Sequence, residues 1–265
     1  MDNRPIGIFD SGVGGLTVAN AINKLLPNET ICYVGDTARV PYGNKSKMSI
    51  LKFSKQITNW LIKQNCKVII IACNTASSLA LDTLKLKVSV PILGVIDPGV
   101  KWAVSITKKN RIGVLGTRAT INSNVYYKKI KEENEKIHVF EKACPLFVPL
   151  VEEGFIEGEI PSLISDFYLK ELKMAHIDTL ILGCTHYPLL NKTISDSLYP
   201  SIKLVDSSFA TSKELKFLLE KETLISNNEK GKINCYVTDY TETFENVVNR
   251  FFKYNINSIK PLDVF

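Results

Sequence analysis

Val68-Ile69-Ile70-Ile71-Ala72-Cys73-Asn74-Thr75-Ala76 is the stretch on which the reading of this chain turns. Four apolar β-branched residues in a row, without alternation, mark a parallel strand covered on both faces. A small residue, a cysteine and a polar pair then open an amphipathic segment. Leu180-Ile181-Leu182-Gly183-Cys184-Thr185-His186-Tyr187 repeats the pattern in the second half of the chain. Upstream, Gly7-Ile8-Phe9-Asp10-Ser11 is echoed at a similar offset by Gly113-Val114-Leu115-Gly116-Thr117. Working outward, strand-like runs fall at 5–9, 31–34, 92–96, 111–115, 145–148, 202–205 and 233–237. Helical spacing covers 15–26, 46–65, 75–87, 98–107, 119–134, 159–175, 189–199, 208–221 and 241–253. Strand–helix alternation of this kind predicts right-handed βαβ units and doubly wound parallel sheets, two of them if the echo reflects duplication.

The 265 residues, 45% hydrophobic and 23% charged, are the balance of an ordinary globular protein and exclude collagen-like or disordered readings. A net charge of +6 over this length is no nucleic-acid signature. The longest apolar run is far short of the roughly 20 residues of a membrane span. The opening MDNRPIGIFD lacks the apolar core of a signal peptide, so a cytoplasmic protein is expected. Six cysteines (Cys32, Cys66, Cys73, Cys144, Cys184 and Cys235) show no C-x-x-C pair and accompany only three histidines, so neither disulfides nor a metal cluster is expected. Cys32, Cys66, Cys144 and Cys235 read as small core hydrophobes. His138 and His176 read as surface residues.

Cys73 and Cys184 differ. Each follows a buried strand, at the sheet edge where open α/β folds place ligands. Each also precedes a helix, whose free N–H groups and positive dipole end favour a thiolate. Two thiols facing each other across a cleft suit one task, in which a thiolate takes a proton from one face of a carbon acid while a thiol delivers one to the other. Each sulfur must approach that carbon to about 3–3.5 Å. The Asn74-Thr75 and Thr185-His186 pairs offer donors for a carboxylate. His186 could relay protons to Cys184 and Asp10 could position or accept a proton near one of the cysteines, although a helix cap is the competing use of Asp10. The loop Asp10-Ser11-Gly12-Val13-Gly14-Gly15 is glycine-rich without being a dinucleotide fingerprint.

These residues resemble the cofactor-independent glutamate racemases of the aspartate/glutamate racemase superfamily. The resemblance rests on Asp10-Ser11-Gly12-Val13-Gly14-Gly15-Leu16, Gly35-Asp36-Thr37 with Pro41-Tyr42-Gly43, and Ala72-Cys73-Asn74-Thr75-Ala76. Val148-Pro149-Leu150-Val151-Glu152-Glu153-Gly154 and Gly183-Cys184-Thr185-His186-Tyr187-Pro188 complete it. It implies interconversion of L- and D-glutamate for peptidoglycan, with no pyridoxal phosphate or metal. It implies Cys73 as the acid/base residue for the D enantiomer and Cys184 for the L enantiomer. Asp10 and His186 would assist them, with Glu152 a further carboxylate nearby. The substrate contacts implied are Asp10, Ser11, Tyr42, Gly43, Asn74, Thr75, Thr185 and His186. The fold implied is two pseudo-symmetric α/β domains with the active site between them, 1–97 plus 208–265 forming the first and 98–207 the second. Members are often homodimers. Some carry an N-terminal extension linked to regulation by a cell-wall precursor, and the few residues before the first strand here argue against that control.

Three other readings remain open at this stage. An aspartate or broad-specificity racemase would use the same two thiols. A non-catalytic binding protein would bury them as core. A single-thiol hydrolase would pair Cys184 with His186 and leave Cys73 a bystander.

Overall fold

The computed structural model describes residues 1–252 and 256–263. Its strands are β1 (Ile6–Asp10), β2 (Ile31–Gly35), β3 (Val68–Ile71), β4 (Ile92–Gly94), β5 (Arg111–Gly116), β6 (His138–Ala143), β7 (Thr179–Gly183), β8 (Lys203–Asp206), β9 (Ile233–Val237) and β10 (Ser258–Pro261). They form two sheets, ordered β10-β9-β2-β1-β3-β4 and β6-β5-β7-β8. Every pairing is parallel.

The order β2-β1-β3-β4 in one sheet is the order β6-β5-β7-β8 in the other, so the sequence echo is a repeated topology. The first sheet is extended beyond β2 by β9 and β10, contributed by the C-terminal part of the chain. In each sheet the chain leaves a central strand to one side and returns to the other, which opens a crevice at the strands' carboxyl ends. Phe9 pairs with Ile71, and Gly116 pairs with Gly183. Continuing each register brings Ser11 level with Cys73 and Thr117 level with Cys184.

The uninterrupted apolar runs are explained by burial on both faces. Val68 and Ile70 enter one core layer, while Ile69 and Ile71 enter the layer on the opposite face. Leu180 and Leu182 likewise face one layer and Ile181 the other. At the amino ends of the strands, away from the crevice, Lys67 forms a fully buried ion pair with Glu29 at 2.6 Å. Its Nζ also donates to the carbonyls of Asp2 and Leu224, and Glu29 accepts the Ser226 amide.

Several sequence expectations are corrected. The strand expected at 145–148 does not form; Phe147–Glu152 is a helix and the strand lies earlier, at β6. Phe147, Val148, Leu150 and Val151 are its buried residues, a helical spacing. β6 is a sheet edge with only partly buried side chains, so His138, Glu141 and Lys142 hid it. The helix expected at 119–134 is two, Arg118–Asn122 and Val125–Glu133, separated by Asn124 in the left-handed region at φ 59°. The expected strand 92–96 is shorter, and the helix expected at 98–107 starts earlier, at Ile96–Ile106. In 189–199 the helix is Asn191–Asp196, preceded by a 3-10 turn at Tyr187–Leu190. Strand β10, at the other edge, was not anticipated. The helix expected at 241–253 spans Glu242–Phe251, and residue 253 lies outside the described residues.

Candidate active site

Both cysteines of the repeated motif reach one cavity. It is lined by Ser11, Pro41, Tyr42, Gly43, Cys73, Asn74, Thr75, Thr117, Val148, Cys184, Thr185 and His186, and its volume is about 20 Å³. That is room for about one water. Cys73 is 5% exposed and Cys184 7%. Cys73 caps the helix Asn74–Lys85, its Sγ accepting the Ala76 amide at 3.5 Å. Ser11 Oγ lies 3.8 Å from the same sulfur.

The two thiols have unlike surroundings. Burial pushes the Cys73 thiol up, and the neighbouring Asp10 charge adds to this, to about 12. The Ala76 amide works the other way without prevailing. The expectation that a helix N-terminus lowers this thiol's pKa is therefore overturned by burial. Asp10, itself fully buried, accepts the Gly12 amide at 3.1 Å and the Thr185 hydroxyl at 3.2 Å. Burial raises its carboxyl, opposed by the His186 charge and by the amides of Gly15 and Gly12. Asp10 is not the cap of the next helix, whose N-cap is Gly15 with no side-chain bond.

Cys184 Sγ lies 3.8 Å from His186 Nδ1, and His186 Nε2 donates to Glu152 Oε1 at 3.1 Å. Burial alone would depress the imidazolium, but Cys184 and Glu152 on its two sides more than offset it. The pKa of His186 ends well above the usual value. The Cys73 side thus carries the buried Asp10 carboxyl group, while the Cys184 side carries a histidine held toward its protonated form between Cys184 and Glu152. Gly116, level with Asp10 in the repeat, explains why no second Asp10 exists.

The glycine-rich loop serves the approach of the two sheets. A Cβ on Gly14 would lie 2.6 Å from His186 Nδ1 and Thr185 Oγ1. A Cβ on Gly43 would lie 2.6 Å from Thr117 Cβ. Both are closer than packed atoms come. The Tyr42 hydroxyl donates to Asp36, which also accepts Arg39 Nε and the Thr238 hydroxyl. Tyr42 therefore borders the cavity with its phenol turned to Asp36. Asn74 Nδ2 donates to the Tyr126 hydroxyl at 2.8 Å, and the Thr75 hydroxyl lies 2.9 Å from that of Thr117 and 3.1 Å from that of Thr120.

Every expected site residue is thus in or beside the cavity, with Glu152 and Asp10 reached through His186 and Thr185. Thr117, Thr120 and Tyr126 were missed as contributors. The signal for Thr117 was present, since the echo aligns it with Ser11. Cys32, Cys66, Cys144 and Cys235 are buried away from the cavity lining, as expected, and His138 and His176 are exposed. Among the described residues no group of three or more His, Cys, Asp or Glu is placed to hold a metal ion. None of their helices is long and apolar enough to cross a membrane.

The twofold-repeated parallel α/β fold, with a cysteine from each repeat at one cavity, belongs with the racemases, a class of isomerases. Residues 8–215 match the family described as Asp/Glu/Hydantoin racemase, and the chain belongs to that family. It is 48% identical over 246 residues to the glutamate racemase of Sulfurihydrogenibium sp., covering 92% of each chain. Among solved structures it is similar to glutamate racemase from Francisella tularensis in complex with D-glutamate. That match has a TM-score of 0.94 and 41% identity, covering 100% of this chain and 99% of the other. The glutamate racemase isoform RacE1 of Bacillus anthracis gives a TM-score of 0.95 at 37% identity, covering 99% and 98%.

Proposed function

We propose that this protein interconverts L- and D-glutamate by two-base proton transfer between Cys73 and Cys184, supplying D-glutamate for peptidoglycan. The observation that carries the reading is that one small cavity is lined by both cysteines, each from its own sheet. The names of the relatives, and the D-glutamate bound to the Francisella protein, support glutamate as substrate. The domain division that goes with it is 1–97 plus 208–265 and 98–207, with the cleft between them.

From the L enantiomer, the Cys184 thiolate takes the α-hydrogen, breaking the Cα–H bond and forming S–H. The Cys73 thiol delivers its proton to the opposite face, forming the new Cα–H bond and leaving Cys73 as thiolate. The reverse sequence runs from the D enantiomer. A Cys73 thiol held near 12 stays protonated at neutral pH, and His186, its pKa held well above the usual value, places a positive charge beside the Cys184 sulfur. Asn74, Thr75 and Thr185, with Ser11 and the Tyr42-Gly43 backbone, supply the donors that hold the substrate's charged groups. Preorganised donors in a dry site stabilise the charge that develops when the α-hydrogen leaves. A cavity of about 20 Å³ holds no glutamate, so entry separates the Gly43–Thr117 and Thr75–Thr117 contacts.

The test is chiral chromatography of L-glutamate and of L-aspartate incubated with the protein, without pyridoxal phosphate and with a chelator present. Racemisation of glutamate well above that of aspartate is expected. Preference for aspartate, or no racemisation of either, rejects the proposal.

A further inference from the structure

The chain's positive charge is gathered in one place. No acidic residue occurs between Asp36 and Asp82, and residues 37–87 hold nine of the 33 basic residues against one of the 27 acidic ones. That segment therefore carries +8, and the other 214 residues together −2. Its two helices, Lys47–Lys63 and Asn74–Lys85, pack side by side on one face of the first sheet. Lys45, Lys47, Lys52, Lys55 and Lys63 are exposed on the first, and Lys85 and Lys87 at the end of the second. Among the described residues none of the seven forms an ion pair.

Local helix physics does not account for them. A cation is favoured at a helix's carboxyl end, which covers Lys63 and Lys85. Lys45 and Lys47 stand at the amino end of their helix, where a cation is disfavoured and no acidic residue compensates. Lys52 and Lys55 have no carboxylate three or four residues away. At about 100° per residue Met48, Lys52, Lys55, Asn59 and Lys63 fall on a single outward stripe. Two apolar side chains stand among these charges. Met48 is 81% exposed and Leu86 88%; Met1 aside, no other large apolar side chain of the described residues is as exposed. Both helices run from the carboxyl ends of the strands back to the amino ends, so Met48, opening one, and Leu86, just past the other, mark opposite corners of the face.

We propose that this face rests on an anionic lipid surface, its lysines meeting the headgroup charge while Met48 and Leu86 enter the headgroup layer. The contact is peripheral, and nothing spans the bilayer. Nucleic acid is the other polyanion a basic face can meet, but its recognition draws on arginine forks and open aromatic rings. The one arginine of the segment, Arg39, turns to Asp36 and Gln56, and Phe53 and Trp60 pack against Tyr42 and Tyr236.

Co-sedimentation of the full chain with vesicles tests this. The protein should pellet with vesicles containing phosphatidylglycerol at low salt. It should stay in solution with pure phosphatidylcholine, or at about 0.5 M salt, where screening reaches within a few ångströms. Each lysine near an anionic surface changes partitioning about fivefold. The triple variant Lys52→Glu, Lys55→Glu, Lys63→Glu should therefore bind about 100-fold less or weaker still, at an unchanged melting temperature. A second triple variant, Lys109→Glu, Lys128→Glu, Lys230→Glu, has the same net charge but alters exposed lysines outside the face, and it should keep most of the binding. Met48→Gln with Leu86→Gln should weaken binding about tenfold. A native protein that ignores anionic vesicles at low salt overturns the proposal. So does an equal loss in the two triple variants, binding indifferent to the loss of both apolar side chains, or tighter binding to random duplex DNA than to the vesicles at the same ionic strength.

Discussion

Cys73 and Cys184 occupy corresponding positions in the repeat yet sit in opposite electrostatic settings. Burial, with the Asp10 charge adding to it, keeps the Cys73 proton on sulfur, while His186 is held toward its cationic form beside Cys184. In the proposed two-base scheme the two directions of reaction therefore start from unlike surroundings. Replacing either cysteine by serine should lower racemisation in both directions by about 10²-fold or more, the scale of a positioned acid–base group. Initial rates from each pure enantiomer check this. Glu152→Gln removes one of the two partners that raise His186. Because a raised imidazolium is lost as pH climbs through its folded pKa, the alkaline limb of the pH–rate profile should move to lower pH in the variant. A limb that stays in place would show that His186 does not carry the positive charge assigned to it.

At the scale of elements, the sheets are held at working distance by backbone that lacks side chains. Gly14→Ala would place a methyl 2.6 Å from His186 Nδ1. A displacement of this size should cost kcat/KM about 10²-fold, and the overpacking, about 1–3 kcal/mol, should lower the melting temperature as well. Away from the site, Asp178 fastens the start of β7 to the turn that precedes β5 by accepting the Thr107 hydroxyl and the amides of Lys108 and Lys109. Partial burial opposes the charge, but these donors hold its carboxyl below the usual range. A depressed carboxyl stabilises the fold above its unfolded pKa, and that contribution is lost as pH falls through the folded value. Asp178→Asn should cost about 2 kcal/mol at neutral pH, and a denaturant titration should find the difference from native shrinking in acid. The elements legible in sequence were those buried on both faces, such as β3 and β7, whose unbroken apolar runs allow no other reading. Edge strands β6 and β10 were not, because half-exposed residues carry no such constraint. Within the site, cysteines at strand ends were legible. Thr120 and Tyr126 were not, since their relation to Thr75 and Asn74 exists only after the two sheets meet.

For the whole molecule, stability and chemistry are placed at opposite ends of the strands. The Lys67–Glu29 pair lies at the amino ends, far from the cavity. Lys67→Met would leave a buried carboxylate without its countercharge, at a cost of about 3–5 kcal/mol. Thermal denaturation should show that loss while racemisation by the folded fraction persists. At the carboxyl ends, the repeated topology brings one thiol from each sheet to a common gap. The direct test is to convert L-glutamate in heavy water and to measure the α-hydrogen isotope and configuration of the product, with the native protein and with each cysteine-to-serine variant. The D-glutamate formed by the native protein should carry deuterium at the α-carbon, and either variant should form it at a small fraction of the native rate. Product that retains the substrate's own hydrogen, or full activity with only one of the two cysteines, would contradict a pair of sulfurs acting from opposite faces.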